Sequence, residues 1–162
     1  MEAETSRTVL AVVALGSNIE PRAERLERAL AALASLPGTR LVKASSVLDN
    51  PGVDVPPEYA HMRFLNQVAV FETSLEVHDF SRRMHAIEDA HGRVRTGVRN
   101  APRTVDLDLI AFGDLVLNEP ELTLPHPRAR ERPFVTIPLK EILPDFEWPE
   151  SFVLQIRKTG NQ

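Results

Sequence analysis

Hydrophobic positions along the chain switch between two spacings, and each switch marks an element. Val9 to Leu15 is an unbroken apolar run, the pattern of a buried strand, and Gly16-Ser17-Asn18 ends it. Pro21 suits the first turn of a helix. Leu26, Ala29, Leu30, Leu33 and Leu36 then recur at helical spacing as far as the Pro37-Gly38 break. Arg22, Glu24, Arg25, Glu27 and Arg28 fall mainly off that stripe and form its solvated face. Arg40 to Val47 reads as a second strand. Asp49 to Tyr59 holds Pro51, Gly52, Pro56 and Pro57, which predicts a loop; a long irregular loop inside a compact domain is often functional. Phe64 to Thr73 reads as a third strand, with Val68 and Val70 on one side and Gln67, Ala69 and Phe71 on the other. Val77, Phe80, Met84, Ile87 and His91 return to helical spacing and predict a second helix, its stripe belonging to the core and Gly92 its stop.

Beyond an arginine-rich loop, Arg93 to Arg103, the residues Val105, Leu107, Leu109, Ile110 and Phe112 have the composition of a strand. Phe112-Gly113-Asp114 reads as a turn into a short returning strand, Leu115 to Leu117. Leu122 to Pro127 contains Pro-His-Pro, an extended and rigid segment. Arg128 to Glu131 reads as a helical turn and Phe134 to Ile142 as a short helix, with Pro144 and Pro149 breaking up the tail. The order β-α-β-β-α-β with a C-terminal extension matches the ferredoxin-like motif, an α+β antiparallel sheet with helices on one face. Fold alone assigns no function.

The 162 residues suit one domain with a real core, spanning residues 1–162. Met1 to Thr8 carries two glutamates and no apolar core, so it reads as a flexible start and not as a signal peptide. No apolar run approaches the ~18 residues of a membrane helix. The net charge of −4 argues against wholesale nucleic-acid binding. The basic residues are nearly all arginine, which favours local anion recognition. Cysteine is absent, which excludes disulfides, thiolate chemistry and cysteine zinc sites and fits a cytoplasmic setting.

The chemistry concentrates between Arg99 and Ile110. Strand alternation puts Asp106 and Asp108 on one face, their Cα atoms roughly 6.5–7 Å apart at about 3.3 Å per residue. Two such carboxylates repel unless something positive lies between them, and magnesium is the usual oxygen-seeking cation. On this pattern alone the pair serves equally well as the strand's solvated side. The loop before it shifts the balance. From Ala90 to Val105 the chain has Arg93, Arg95, Arg99 and Arg103 and no acid, which fits a metal–polyphosphate site.

Arg99 through Ile110 resembles the signature of the 6-hydroxymethyl-7,8-dihydropterin pyrophosphokinase family: a basic residue, a proline, an arginine, then Asp-aliphatic-Asp and two aliphatics. Other blocks agree in order and spacing. Val12 to Asn18 looks like the family's opening strand with its Gly-Ser-Asn, and Phe64-Leu65-Asn66 like its aromatic-Leu-Asn. Gly92-Arg93-Val94-Arg95 is similar to its Gly-Arg-x-Arg, and Leu124-Pro125-His126 to its Pro-His segment. Arg132 and Phe134 fall where members place an arginine and an aromatic. The resemblance spans roughly residues 9 to 145 and implies transfer of the β,γ-pyrophosphoryl group of ATP to the pterin hydroxymethyl group, with release of AMP. It implies that Asp106 and Asp108 bind two magnesium ions, that Arg93 and Arg103 are catalytic and grip phosphate oxygens, and that His126 and Arg132 contact the nucleotide. His85 and Glu88 fall at its nucleotide site. Phe64 and Phe134 would stack on the pterin, Asn66 would pair with its amide-like edge, and Asn50, Pro51 and Val53 would complete the pocket. The expected partners are these two small molecules, with no nucleic acid and no membrane, for a monomer or small homo-oligomer.

The chain also departs from the family's pattern. Leu48 to Asp54 replaces a Tyr-x-Thr-x-Pro-x-Gly loop, Asn100 stands where some members have tryptophan, Thr96 replaces a basic residue, and His85 aligns with a glutamine. Two other readings fit parts of the sequence: a nucleotidyltransferase-type phosphotransferase, and a non-catalytic ferredoxin-like binding module. Nucleotidyltransferases keep Gly-Ser and Asp-x-Asp close together, whereas Gly16-Ser17 and Asp106 are far apart here. Retention of Asn66, Arg93, Arg103, Asp106, Asp108 and His126 favours catalysis over the module.

Overall fold

The computed structural model describes residues 7–18, 21–51, 63–91 and 105–150. The expected loop from Arg93 to Arg103, the Gly92 stop, Val53 and the first six residues lie outside them. The apolar run of the sequence becomes β1 (Val9–Ser17), the central strand. It pairs antiparallel with β4 (Arg63–Thr73) on one side and with β5 (Asp106–Phe112) on the other. At eleven residues, β4 is long enough to serve two further strands on its outer edge. β2 (Thr39–Ala44) pairs with its C-terminal half and β3 (Leu48–Pro51) with its N-terminal half. The sheet order is β2-β4-β1-β5, with β3 continuing beside β4.

β3 corrects the expected loop from Asp49. Pro51 ends the strand, where its missing N–H costs no ladder bond inside the sheet, so the proline marks a strand end and not a loop beginning. The second expected strand is shorter than Arg40–Val47: β2 ends at Ala44, and beyond it Ser45 donates its N–H to the Val68 carbonyl at 2.8 Å while its hydroxyl accepts the Val68 N–H at 3.0 Å. The short strand expected at Leu115–Leu117 is instead β6 (Leu117–Asn118), paired with β7 (Thr123–Leu124) in a separate hairpin. Gly113, at φ +58°, makes the turn before it, a conformation that disfavours any side chain.

Alternation divides the strands between two apolar layers. Ala11, Val13, Leu15, Ala69, Phe71, Leu107 and Leu109 pack with α1 (Arg22–Ala34) and α2 (Val77–His91), contacting Leu26, Leu33, Phe80 and Met84. Phe80 and Phe112 meet edge to face, 5.8 Å between ring centroids. On the other side Val12, Val68, Val70 and Ile110 pack with α3 (Pro133–Ile142), through Val135, Leu139 and Ile142. The sheet is therefore covered on both faces: the C-terminal extension supplies the second layer, where helices on one face were expected.

β5 carries one irregularity. Val12 pairs with Ala111 but Val13 with Leu109, so Ile110 is an extra residue, a β-bulge. It resets the alternation, so Ile110 and Ala111 both join the α3 layer while Phe112 turns to the helix pair. Before the bulge, Leu107 and Leu109 face α1 and α2, which leaves Asp106 and Asp108 on the α3 side.

Candidate active site

The α3 face changes character toward one end of the sheet. Directly opposed residues across β3, β4, β1 and β5 read Leu48, Asn66, Gly16, Asp106. Opposed residues share a face, so the Asn66 amide and the Asp106 carboxylate stand in one row with a glycine between them. A Cβ on Gly16 would lie 3.1 Å from Asn66 Oδ1, so glycine lets that amide lie close over β1. Phe64, two residues before Asn66, shares this face and stands opposite Asn50 of β3; Pro51 is opposite Arg63. Phe134, in the first turn of α3, packs against the apolar cluster of this face, as does Ala14, which is opposite Asp108. Beside it the Arg132 guanidinium lies 5.7 Å from the Phe134 ring centre. Arg132 Nε is buried and meets no hydrogen-bond acceptor among the described residues. Phe64, Asn66, Asp106, Asp108, Arg132 and Phe134, named separately from the sequence, are thus gathered at one end of one face.

Around the outer edge of β5 lies a cleft of about 300 Å³. Its walls are Ser81, Met84 and His85 of α2, Asp108 and Leu109 of β5, and residues Pro120 to Thr123 with His126 and Pro127. His126 is fixed by its backbone, whose N–H donates to the Ile110 carbonyl at 2.8 Å, and its Nδ1 accepts the Arg128 N–H at 3.2 Å. That bond places the ring proton on Nε2. Burial pushes the His126 pKa down, Asp108 pulls it up, and Arg132 and Arg128 push it down further. With Nδ1 accepting, the ring offers its N–H from Nε2. His85, across the cleft, is biased the other way: its bond to Glu88, 3.4 Å from Nδ1, raises its pKa against the effect of burial.

Glu88 stands beneath the cleft and not in it. It is 2% exposed, and its Oε2 accepts the Leu107 N–H at 2.8 Å. A bond to a charged acceptor contributes about 1.5–3 kcal/mol. Arg93, Arg103 and Val53 fall outside the described residues. In the sequence Gly16 and Asn18 stand out only as the end of the first strand and as part of the family's Gly-Ser-Asn, although a glycine in a strand marks a close approach. Asn18 is 5% exposed, and neither of its side-chain amide atoms has a partner among the described residues.

Asp106 and Asp108 are half-buried. The one group of three metal-competent side chains among the described residues lies elsewhere, at His78, Glu119 and Glu121. Two carboxylates without a third ligand fit magnesium, which binds through one or two carboxylates and completes its shell with water and phosphate oxygens.

The sequence matches the family 7,8-dihydro-6-hydroxymethylpterin-pyrophosphokinase (HPPK) over residues 12–144. The chain belongs to this family. Among HPPK relatives, the 2-amino-4-hydroxy-6-hydroxymethyldihydropteridine pyrophosphokinase of Pseudomonas aeruginosa is 41% identical, over 85% of this chain and 83% of the relative. The proteins of that name from Synechocystis and Haemophilus influenzae are 39% and 36% identical, over 87% and 90% of this chain and 70% and 89% of theirs. Solved structures of wild-type Plasmodium falciparum HPPK-DHPS, with SDX-DHP or with pterin and p-hydroxybenzoate, superpose with TM-scores of 0.62 and 0.61 at 12% and 11% identity. The match covers 95% and 96% of this chain but only 45% of each of those longer chains, and at such identity it speaks for the fold: helices on an antiparallel sheet.

Proposed function

We propose that this HPPK-family chain transfers the pyrophosphoryl group of ATP to the hydroxymethyl oxygen of 6-hydroxymethyl-7,8-dihydropterin, releasing AMP, in folate biosynthesis. The observation that supports this reading is the row Asn66–Gly16–Asp106, with Phe64 on the same face and Asp108 next along β5, a polar end on the side that α3 and Phe134 cover. In the reaction the pterin hydroxyl oxygen bonds to the β-phosphorus, the bond from that phosphorus to the α-phosphate bridging oxygen breaks, and the hydroxyl proton is released. Phe64 and Phe134 would stack on the flat ring, and Asn66 offers both donor and acceptor to its edge. Asn50, Pro51 and Val53 would close that pocket. His126, through its Nε2 N–H, and Arg132, Arg93 and Arg103 would hold phosphate oxygens, with His85 at the nucleotide end of the cleft. Asp106 and Asp108 would hold two Mg²⁺ ions, which neutralise charge on the transferring group and orient it. Positioning and electrostatics carry most of such a transfer.

Leaving β3 aside, the strand order supports a ferredoxin-like sheet with α3 as an added layer. The chain would act in the cytoplasm as a monomer or small homo-oligomer; among the described residues no helix is long and apolar enough to cross a membrane. Incubation with ATP, Mg²⁺ and the pterin tests the reading by product identity. Equal amounts of AMP and pyrophosphorylated pterin are expected. ADP with a monophosphorylated pterin would overturn it, and so would no reaction by protein that still binds both ligands.

A further inference from the structure

β5 is the outermost strand of the sheet at its side, so its outward backbone groups need partners from beyond the sheet. Two are supplied. The His126 N–H meets the Ile110 carbonyl at the bulge, and the Glu88 carboxylate meets the Leu107 N–H, each at 2.8 Å. Leu107 lies between the two aspartates. Glu88 is 2% exposed, its second oxygen faces His85 Nδ1 at 3.4 Å, and it lies behind the cleft wall and not among the residues that line it. Its effect on the chemistry runs through the strand. A slip of one residue in β5 would turn every side chain to the opposite face. Such a slip would send both aspartates toward α1 and α2.

We propose that Glu88 is a positioning residue: it locks β5 from α2 through the Leu107 N–H and so holds Asp106 and Asp108 at the spacing that receives the metal–triphosphate complex. The role of the aspartates rests on the function proposed above; the lock on β5 does not.

Two variants and two readouts test it. Amide exchange at Leu107 reads the lock, and calorimetry with an ATP analogue carrying a methylene between the α and β phosphorus atoms, with and without Mg²⁺, reads the site. Glu88→Gln keeps an acceptor oxygen and should leave Leu107 protected, with affinity for the Mg²⁺ complex within about threefold of the parent. Glu88→Leu should expose Leu107 to exchange and weaken the Mg²⁺ complex on the order of tenfold, as lost second-layer support of a metal site does, while leaving the metal-free analogue unaffected. Leu33→Ala, in the α1 layer, controls for lost stability alone and should leave the Mg²⁺ complex unaffected. Unchanged Mg²⁺-complex affinity in Glu88→Leu would overturn the proposal. An equal loss in Glu88→Gln with Leu107 still protected would also overturn it, by showing that the charge acts directly. If the parent protein binds no Mg²⁺–nucleotide complex, the proposed function fails instead, and Leu107 exchange still decides whether Glu88 locks the strand.

Discussion

Between the sheet and the α1–α2 pair the facing positions are mainly apolar, with Phe71 and Phe80 fully buried and Gln67 and Thr73 the polar members of β4 on that side. On the α3 side the same strands change partway. Val12, Val68, Val70 and Ile110 pack beneath the helix, and then come Asn66, Gly16, Asp106 and Asp108. One face is closed by apolar packing; the other carries the buried Asn66 and the half-buried Asp106 and Asp108, where the proposed function would place its ligands. Damage to the first face should therefore appear as lost folding free energy, and damage to the polar end of the second as lost binding or turnover in a protein that still folds.

The largest effect on stability is expected from emptying the closed face. Phe71→Ala should cost about 3–5 kcal/mol, read as a lower urea midpoint at unchanged slope. Asn66→Ala should leave stability nearly intact but raise KM for the pterin roughly ten- to a hundredfold, because the ligand's edge loses its partner. A comparable loss of stability in Asn66→Ala would erase the distinction between the two faces. Gly16→Ala is a milder version: the added Cβ meets Asn66 Oδ1 and should raise the same KM about fivefold, equivalent to about 1 kcal/mol of lost alignment, with little change in KM for ATP.

The smallest effect lies away from both faces, at the hairpin of β6 and β7. His78 bonds Glu119 through Nε2 at 2.8 Å and Glu76 through Nδ1 at 2.7 Å, and the two carboxylates, Glu119 first, raise its pKa from about 6.5 to about 9. The shift is upward, so the contribution is fully present below about 6.5 and is lost as pH rises through about 9. The melting-temperature difference between the parent and His78→Gln should therefore shrink between pH 7 and pH 10, and shrink again in high salt, because the pair is exposed.

The periodic elements were legible because burial on one face writes itself into spacing: the stripes of α1 and α2, the apolar run of β1, and the alternation of β4. The carboxylate pair was legible because two acids interrupt an otherwise apolar strand behind an acid-free basic loop. The remainder depends on pairing between distant segments. β3 was hidden because Pro51 and Gly52 are turn signals wherever they stand. The Ile110 bulge follows from β1 and not from β5's own residues. That α3 covers the far face could not be read from its stripe, which fits either side. Glu88 left a trace: it stands four residues after Met84, on the buried side of α2, where a carboxylate needs a partner, and that partner is a backbone N–H nineteen residues on.

On the proposed function the carboxylate pair serves chemistry and not the fold. Pterin-dependent AMP formation by Asp108→Asn and Asp106→Asn, measured beside their melting temperatures, tests it most directly. Each variant should lose turnover on the order of a thousandfold while its stability stays within about 0.5 kcal/mol of the parent. Near-normal AMP formation in both variants would contradict the claim and return the two aspartates to the solvated side of a strand.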